Sequence, residues 1–474
     1  MRTLHRISAA ALAVSAGWAL PGQAYAADRT SVETELAAMR AQMEAMASRI
    51  DSLEAQLAAA RSQADTASQA AQNAAQAAQS ATQTAAAAQL AAAKSPAVEV
   101  AWKGAPEIRG ESGWSFKPRG RLQLDVDAVN GPSGLPSSVK DHLGTDVELR
   151  RAYLGFEGTI PGGFGYRAEI DVAGSSVAIT DLYLTYKASK DLTLVLGNQK
   201  PNLGLEELTS DLFTSFEERA DFTSAFGFER RVGLNAQYAN KTVVAQLGVF
   251  ADDPAALNND NNRSWSADGR LVFMPRLAGG TLHLGGSVHW RTLNGSIPTV
   301  TYQARPFVHT TDQRFLNAMV GGADRERGLG LEAAWVSGRF HATAENFWQS
   351  VGRAGLADPT FMGGYAEVGY LLTDDETAYK AGVYERIKPR HGFDRGGIGA
   401  IQVNARYSWL DLDDAGIHGG RQQTAGISAI WIPTDYVRFI LDYGHLWIKD
   451  SPVIAGGRND YGVDALGMRA QFDF

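Results

Sequence analysis

The chain of 474 residues contains no cysteine, which excludes disulfides, thiol chemistry and cysteine-ligated metals. It has no run approaching 18 uninterrupted apolar residues after its leader-like start, which argues against membrane-spanning helices. It has no basic excess. Lys and Arg number 44 against 52 Asp and Glu, for a formal charge of −8, which argues against nucleic acid as a partner. The nine histidines are scattered, and neither H-E-x-x-H nor G-x-S-x-G occurs. No enzymatic activity, cofactor or metal site is therefore expected. Proline is missing between Pro21 and Pro96 and glycine from 23 to 103, so nothing in that stretch interrupts a helix.

Residues 1–26 read as a secretory signal. Arg2 and Arg6 precede an apolar stretch, and Ala24-Tyr25-Ala26 has the form of a cleavage site. A retained anchor is the competing reading, with an apolar part that is short for a span. Cleavage after Ala26 removes two Arg and no acid, moving the charge from −8 to −10.

Residues 27–95 are expected to form a helical coiled-coil arm. Val32, Leu36, Met39, Met43, Met46, Ile50, Leu53 and Leu57 recur in steps of four and three, and the steps continue on alanine from 60 to 92. A flexible Ala/Gln-rich linker is the plainer alternative. A Pro- and Gly-bearing linker at 96–113 follows.

From 114 to 474 the period changes to two, the signature of strands with a different solvent on each face. Sixteen strand candidates run from 114–127 to 462–474, an even number as single-chain barrels require. In the last, Leu466, Met468, Ala470, Phe472 and Phe474 share one face, and Arg469, Gln471 and Asp473 the other. The 50 glycines, 19 Phe, 15 Tyr and 10 Trp suit tight turns and aromatic girdles. Short turns alternate with longer loops, expected at 128–146, 199–230, 251–265, 292–324 and 411–421, except at 373–397. Parity makes that segment a long excursion on the short-turn side.

Alternation turns Arg119, Arg121, Gln123, Asp125 and Asp127 inward, with Arg167, Glu169, Asp181, Lys187, Gln402, Asn404, Arg406, Arg438 and Asp442. Charges on the wet face of a barrel have a second reading as compensating salt bridges.

Several strings resemble the phosphate-selective porin O and P family. They include Gly120-Arg121-Leu122-Gln123-Leu124-Asp125, Glu148 to Gly155, Gly197 to Pro201, Leu205-Glu206-Glu207-Leu208-Thr209-Ser210, Glu218-Arg219-Ala220, Ala405 to Leu412 and Arg469 to Phe474. The resemblance implies a trimer of sixteen-stranded outer-membrane barrels with anion-preferring pores narrowed by an inward third loop, here 199–230. It also implies that Ser210 and Arg219 contact the anion. Glu206, Glu207 and Asp211 stand where the family has a Lys and a serine, and they oppose anion entry. Arg230 and Arg231, and Arg386, Lys388 and Arg390 of the excursion, are further candidate anion contacts.

The expected function is passive diffusion of small hydrophilic solutes, with anions such as phosphate among them. The expected partners are outer-membrane lipid and two further copies of the chain, with cell-wall contact through the arm. In the alternative, the arm is an envelope tether and the barrel mainly its anchor.

Overall fold

The computed structural model describes residues 29–92, 98–258, 264–293 and 299–474. The leader expected at 1–26 lies outside them. The chain divides into two units, 1–96 and 97–474.

In the first unit a single helix runs from Arg29 to Ala92, 64 residues and so about 96 Å long. Leu36, Met39, Met43, Met46, Ile50, Leu53 and Leu57 are all exposed along it. No helix among the described residues is long and apolar enough to cross a membrane.

The second unit is a closed antiparallel barrel. Its sixteen strands are β1 (Ser115–Asn130), β2 (Gly144–Ile160), β3 (Phe164–Asp171), β4 (Ala178–Lys187), β5 (Leu192–Gln199), β6 (Arg231–Ala239), β7 (Val243–Phe250) and β8 (Trp265–Phe273), then β9 (Gly280–Thr292), β10 (Ala323–Ser337), β11 (Phe340–Arg353), β12 (Thr360–Leu371), β13 (Ala400–Asp414), β14 (Ile417–Thr434), β15 (Val437–Lys449) and β16 (Tyr461–Asp473). Each pairs with its sequence neighbour, and β16 closes on β1 with Gln471 opposite Gln123 and Asp473 opposite Arg121. Closure leaves no open edge, which a span through hydrocarbon requires.

The alternation behaves as the period demands. Leu122 and Leu124 are 46% and 44% exposed on the outer face, while Gln123 and Asp125, which alternate with them, are fully buried. The stretch 96–113 carries a hairpin, Val98–Trp102 with Pro106–Gly110, whose second strand pairs with the start of β1.

Two features depart from the pattern read along the chain. The loop expected at 411–421 is a two-residue turn, Ala415-Gly416, at φ 49° and 79°. The strand expected to end at 410 runs on to Asp414, with Leu410 and Leu412 inward and buried where a polar inner face was expected. The lumen itself contains an apolar core. Phe222, Phe226 and Phe228 of the third loop pack with Tyr302, Val308 and Phe315 of the loop between β9 and β10, and with Phe347 and Phe361 of the wall. That second loop holds its own hairpin, Thr299–Ala304 with Leu316–Gly321.

The excursion 373–397 enters the lumen from the short-turn side. Its small hairpin, Tyr379–Lys380 with Val383–Tyr384, reaches the wall and the third loop. The Tyr384 amide donates to Thr209 Oγ1 at 3.2 Å, and Arg270 donates to the Gly382 carbonyl at 2.9 Å.

Candidate functional site at the inward loop

The loop joining β5 to β6 is folded into the barrel, and arginines of the wall hold it there. Its one-turn helix, Leu205–Leu208, begins after Gly204, whose φ of 69° favours glycine. The first two amides, of Leu205 and Glu206, each donate to the Glu345 carboxylate of β11 at 2.7 Å. Arg406 of β13 donates to Glu206 at 2.5 Å and to Glu367 at 2.7 Å, with its guanidinium over the Phe216 ring. Arg438 of β15 donates to the carbonyls of Leu212 (2.7 Å) and Thr214. Arg469 of β16 takes Asp125 in two bonds of 2.7 Å and reaches Glu218 at 2.8 Å. Such bidentate, charge-assisted bonds are the strong ones.

Arg406 and Arg438, expected to line the pore, thus anchor the loop from behind, while Arg121 both pairs with Asp211 of the loop and lines a cavity beside it. The three acids expected to repel anions are also taken up. Glu206 pairs with Arg406, and Glu207 with Lys200 (3.0 Å) and Arg219 (3.4 Å). Asp211 pairs with Arg121 and, at 2.8 Å, with Arg151. Burial pushes Asp211 upward, but the two guanidiniums outweigh it and hold the carboxyl well below the usual range. Their charges are compensated locally instead of standing bare in the path.

Two cavities flank the loop. On the short-turn side, a cavity of ≈ 840 Å³ is lined by Lys117, Arg119, Arg121, Arg167, Lys200, Ser210, Arg386 and Lys388 among others, with nine basic and six acidic residues in all. On the long-loop side, one of ≈ 630 Å³ includes Arg150, Arg151, Arg219, Arg305 and Arg314, with six basic and four acidic residues. Both linings therefore carry a basic excess. Arg230 is the one residue common to both, held by Asp181 at 2.6 Å. Lys200 and Arg219 flank Glu207, one facing each cavity. Burial and the nearby Arg219 bring Lys200 down to about 8.

The remaining candidates spread out. Ser210 and Arg219, matched to the family's anion contacts, face opposite cavities. Arg119 and Arg167 pair with Glu157 at 2.8 and 2.6 Å. Arg231 donates to Ser266 at 3.1 Å and lines a third cavity of ≈ 500 Å³. Arg386 bridges Asp473 and the Asp435 carbonyl. Lys388 is exposed at the short-turn end, and Lys187 is exposed beside a separate cavity of ≈ 410 Å³ at the rim. Arg390 pairs with Glu376 at 2.6 Å and Asp374 at 3.5 Å outside the two main cavities.

Residues 116–474 match the family model described as phosphate-selective porin O and P. The chain belongs to this family. An uncharacterized protein of Caulobacter vibrioides is 42% identical over 393 residues, 81% of this chain and 79% of that one. Porin O of Pseudomonas aeruginosa is 25% identical over 352 residues, 67% of this chain and 77% of its own length. Among solved structures, the outer-membrane expressed OmpT of Vibrio cholerae superposes with a TM-score of 0.49 at 9% identity, covering 76% of this chain and 98% of that one. Family and barrel together make this an outer-membrane porin, a channel rather than an enzyme.

Sequence reading missed three arginines of this porin's site. Arg150 and Arg151 are adjacent, so strict alternation turns only one inward. A register shift between Gln123 and Leu124 on the paired strand lets both reach Glu218, at 2.8 and 3.7 Å. Arg469 sat on the polar face of a strand read for its ending, and nothing local marked it as an anchor.

Proposed function

We propose that this porin lets small hydrophilic solutes diffuse with a modest preference for anions, inorganic phosphate among them. The observation that carries the reading is the basic excess of both cavities, joined at Arg230 beside Lys200 and Arg219. Small anions crossing there meet guanidinium and ammonium groups whose acidic neighbours are already paired, and a narrow lumen strengthens the field. The family's description supplies the word phosphate. Ser210 and Arg219 contribute to the path from opposite sides, and Arg386 and Lys388 draw anions into the short-turn cavity.

The test is the reversal potential of the purified protein in a planar bilayer under a KCl gradient. A potential of anion sign is expected, with phosphate added to the bath reducing the chloride current. Lys200 loses its charge as pH rises through about 8, so the anion preference should fall between pH 7 and pH 9. A cation-sign potential at pH 7 would sink the reading.

In the mature organisation we infer, a signal over 1–26 is removed, residues 27–95 stand in the periplasm, 96–113 link, and 114–474 form the barrel in outer-membrane lipid. The exposed seam from Leu36 to Leu57 favours self-association of the arm, because those side chains are left facing water on a single helix. A homotrimer follows from the family reading. The arm also supports a second role, as a tether to the cell wall. Deleting 28–94 should lower the oligomer's thermal stability and its retention with cell-wall fragments, while single-channel conductance persists. Loss of conductance in the folded truncation would argue against a modular arm.

A further inference from the structure

Behind the inward loop lies a cluster of acids that the solute path does not use. Asp125 and Asp127 of β1 and Glu217 of the loop each bring a carboxylate oxygen within 4.8 Å of the others, and all three residues are buried. Asp442 of β15 joins them across β16. Its Oδ2 accepts the Glu217 amide at 2.9 Å, which ties it to the same point of the loop. The free oxygens of Glu217 and Asp442 converge on Gly467 of β16, which is paired across the sheet with Asp127 of β1. A Cβ there would sit 2.2 Å from Glu217 Oε2 and 2.5 Å from Asp442 Oδ1, so the missing side chain is what leaves that space open.

These oxygens have too few partners. Asp127, Glu217 and Asp442 are 1%, 2% and 2% exposed. Yet neither carboxylate oxygen of Asp127, neither of Glu217, nor Oδ1 of Asp442 completes a hydrogen bond among the described residues. The Thr310 hydroxyl and the Met468 amide approach Asp127 as looser donors. The neighbouring cation is Arg469, and two of its nitrogens are bonded to Asp125, with Glu217 Oε1 only at 3.7 Å. One guanidinium thus faces four buried carboxylates and Glu218 as well. Glu218 has Arg150 and Arg151 of its own. A buried carboxylate without a counter-charge costs several kcal/mol as an order of magnitude, and the cluster relieves that cost either by taking up protons or by taking a positive species into the space between its free oxygens.

We propose that Asp127, Glu217 and Asp442 bind one divalent cation of the calcium class, which fastens the inward loop to the wall formed by β1, β16 and β15. The donors are all hard oxygens, brought by separate segments. This suits the irregular, oxygen-rich shell of calcium better than the nitrogen and sulfur preference of zinc or the strict octahedron of magnesium. Thr310 is placed to add a neutral oxygen. The cation would neutralise charge at the point where the loop amide of Glu217 is held, which makes loop position depend on it. Solute selectivity at Arg230 is a separate matter, and either reading could fail without the other.

The experiment uses the full mature chain, refolded from denaturant into detergent free of lipopolysaccharide and stripped with chelator. Equilibrium dialysis against radioactive calcium at about 0.1 mM, within the range of carboxylate-rich sites, should give one calcium per chain. Glu217→Gln and Asp127→Asn should each lower the bound calcium at least tenfold. Chelator should lower the thermal unfolding midpoint of the wild type and leave that of Glu217→Gln unmoved. Wild-type protein that retains no calcium overturns the proposal, as does calcium retained equally by both variants. If Asp127→Asn fails to fold, the wild-type measurement and Glu217→Gln, which lies on the loop, decide the matter.

Discussion

Replacing Arg230 with glutamate should reverse the sign of the KCl reversal potential, turning an anion-preferring pore into a cation-preferring one. Arg230 lines both main cavities, which puts it beside the route between them that the proposed function requires. The change moves the local charge by two units. A unit charge 4 Å away contributes about 1 kcal/mol in bulk water and about 4 kcal/mol at the effective dielectric near a protein surface. A shift of roughly tenfold or more in the chloride-to-potassium permeability ratio follows from the lower end of that range. Asp181 would keep a partner, because Arg167 lies 3.5 Å from it on β3, so the barrel should still fold. Arg390→Glu is the matched control. It removes an equal charge from a site outside both main cavities, where Asp374 and Glu376 surround it, and it should leave the potential nearly unchanged. Equal effects of the two substitutions would show that the whole surface field, and not the junction at Arg230, sets selectivity.

Replacing Arg469 with methionine should cost about 3–5 kcal/mol of stability, the usual consequence of breaking one side of a buried ion pair. Arg469 and Asp125 are both fully buried, and the two bonds between them are 2.7 Å each. The substitution leaves Asp125 charged with no partner and frees the Glu217 carbonyl, while Glu218 keeps Arg150 and Arg151. The loop loses a tether while its other ones, at Glu345, Arg406 and Arg438, remain. Reversible urea unfolding in detergent or lipid vesicles measures the loss. The double variant Arg469→Met with Asp125→Asn should recover a large part of it, since the stranded charge goes with its partner. A single variant within about 1 kcal/mol of the wild type, the usual worth of an exposed pair, would mean that the carboxylates are neutralised some other way.

The barrel was legible because its causes are local. A strand with water on one side and lipid on the other must alternate, and the alternations at both ends of the barrel, Leu122 with Gln123 and Met468 with Arg469, place their side chains on the two faces as read. Parity then followed from closure, and it correctly kept 379–384 out of the wall although those residues do form a small hairpin. The polar-inside expectation failed where the lumen stopped being wet, although the alternation itself continued. Leu410 and Leu412 point inward because aromatic side chains of two inward loops fill that level of the barrel, and no local rule announces such a neighbour.

The candidate site shows the same division more sharply. Residue types and family strings placed Ser210, Arg219, Arg230 and the acids 206, 207 and 211 in or beside one loop. They could not say that Glu207 would sit between Lys200 and Arg219, or that Asp211 would be clamped by arginines from 90 residues and 60 residues earlier in the chain. Nor could they show that Arg406 and Arg438 would serve as anchors. Sequence by itself determined the sixteen-stranded wall, the helix from 29 to 92, and the family, because periodicity and short strings are properties of neighbours along the chain. Only the tertiary structure decided which charges remain free for a solute. An ion pair depends on distance between segments remote in sequence, and the same arginine is a pore contact or a structural anchor according to whether a carboxylate has been folded against it.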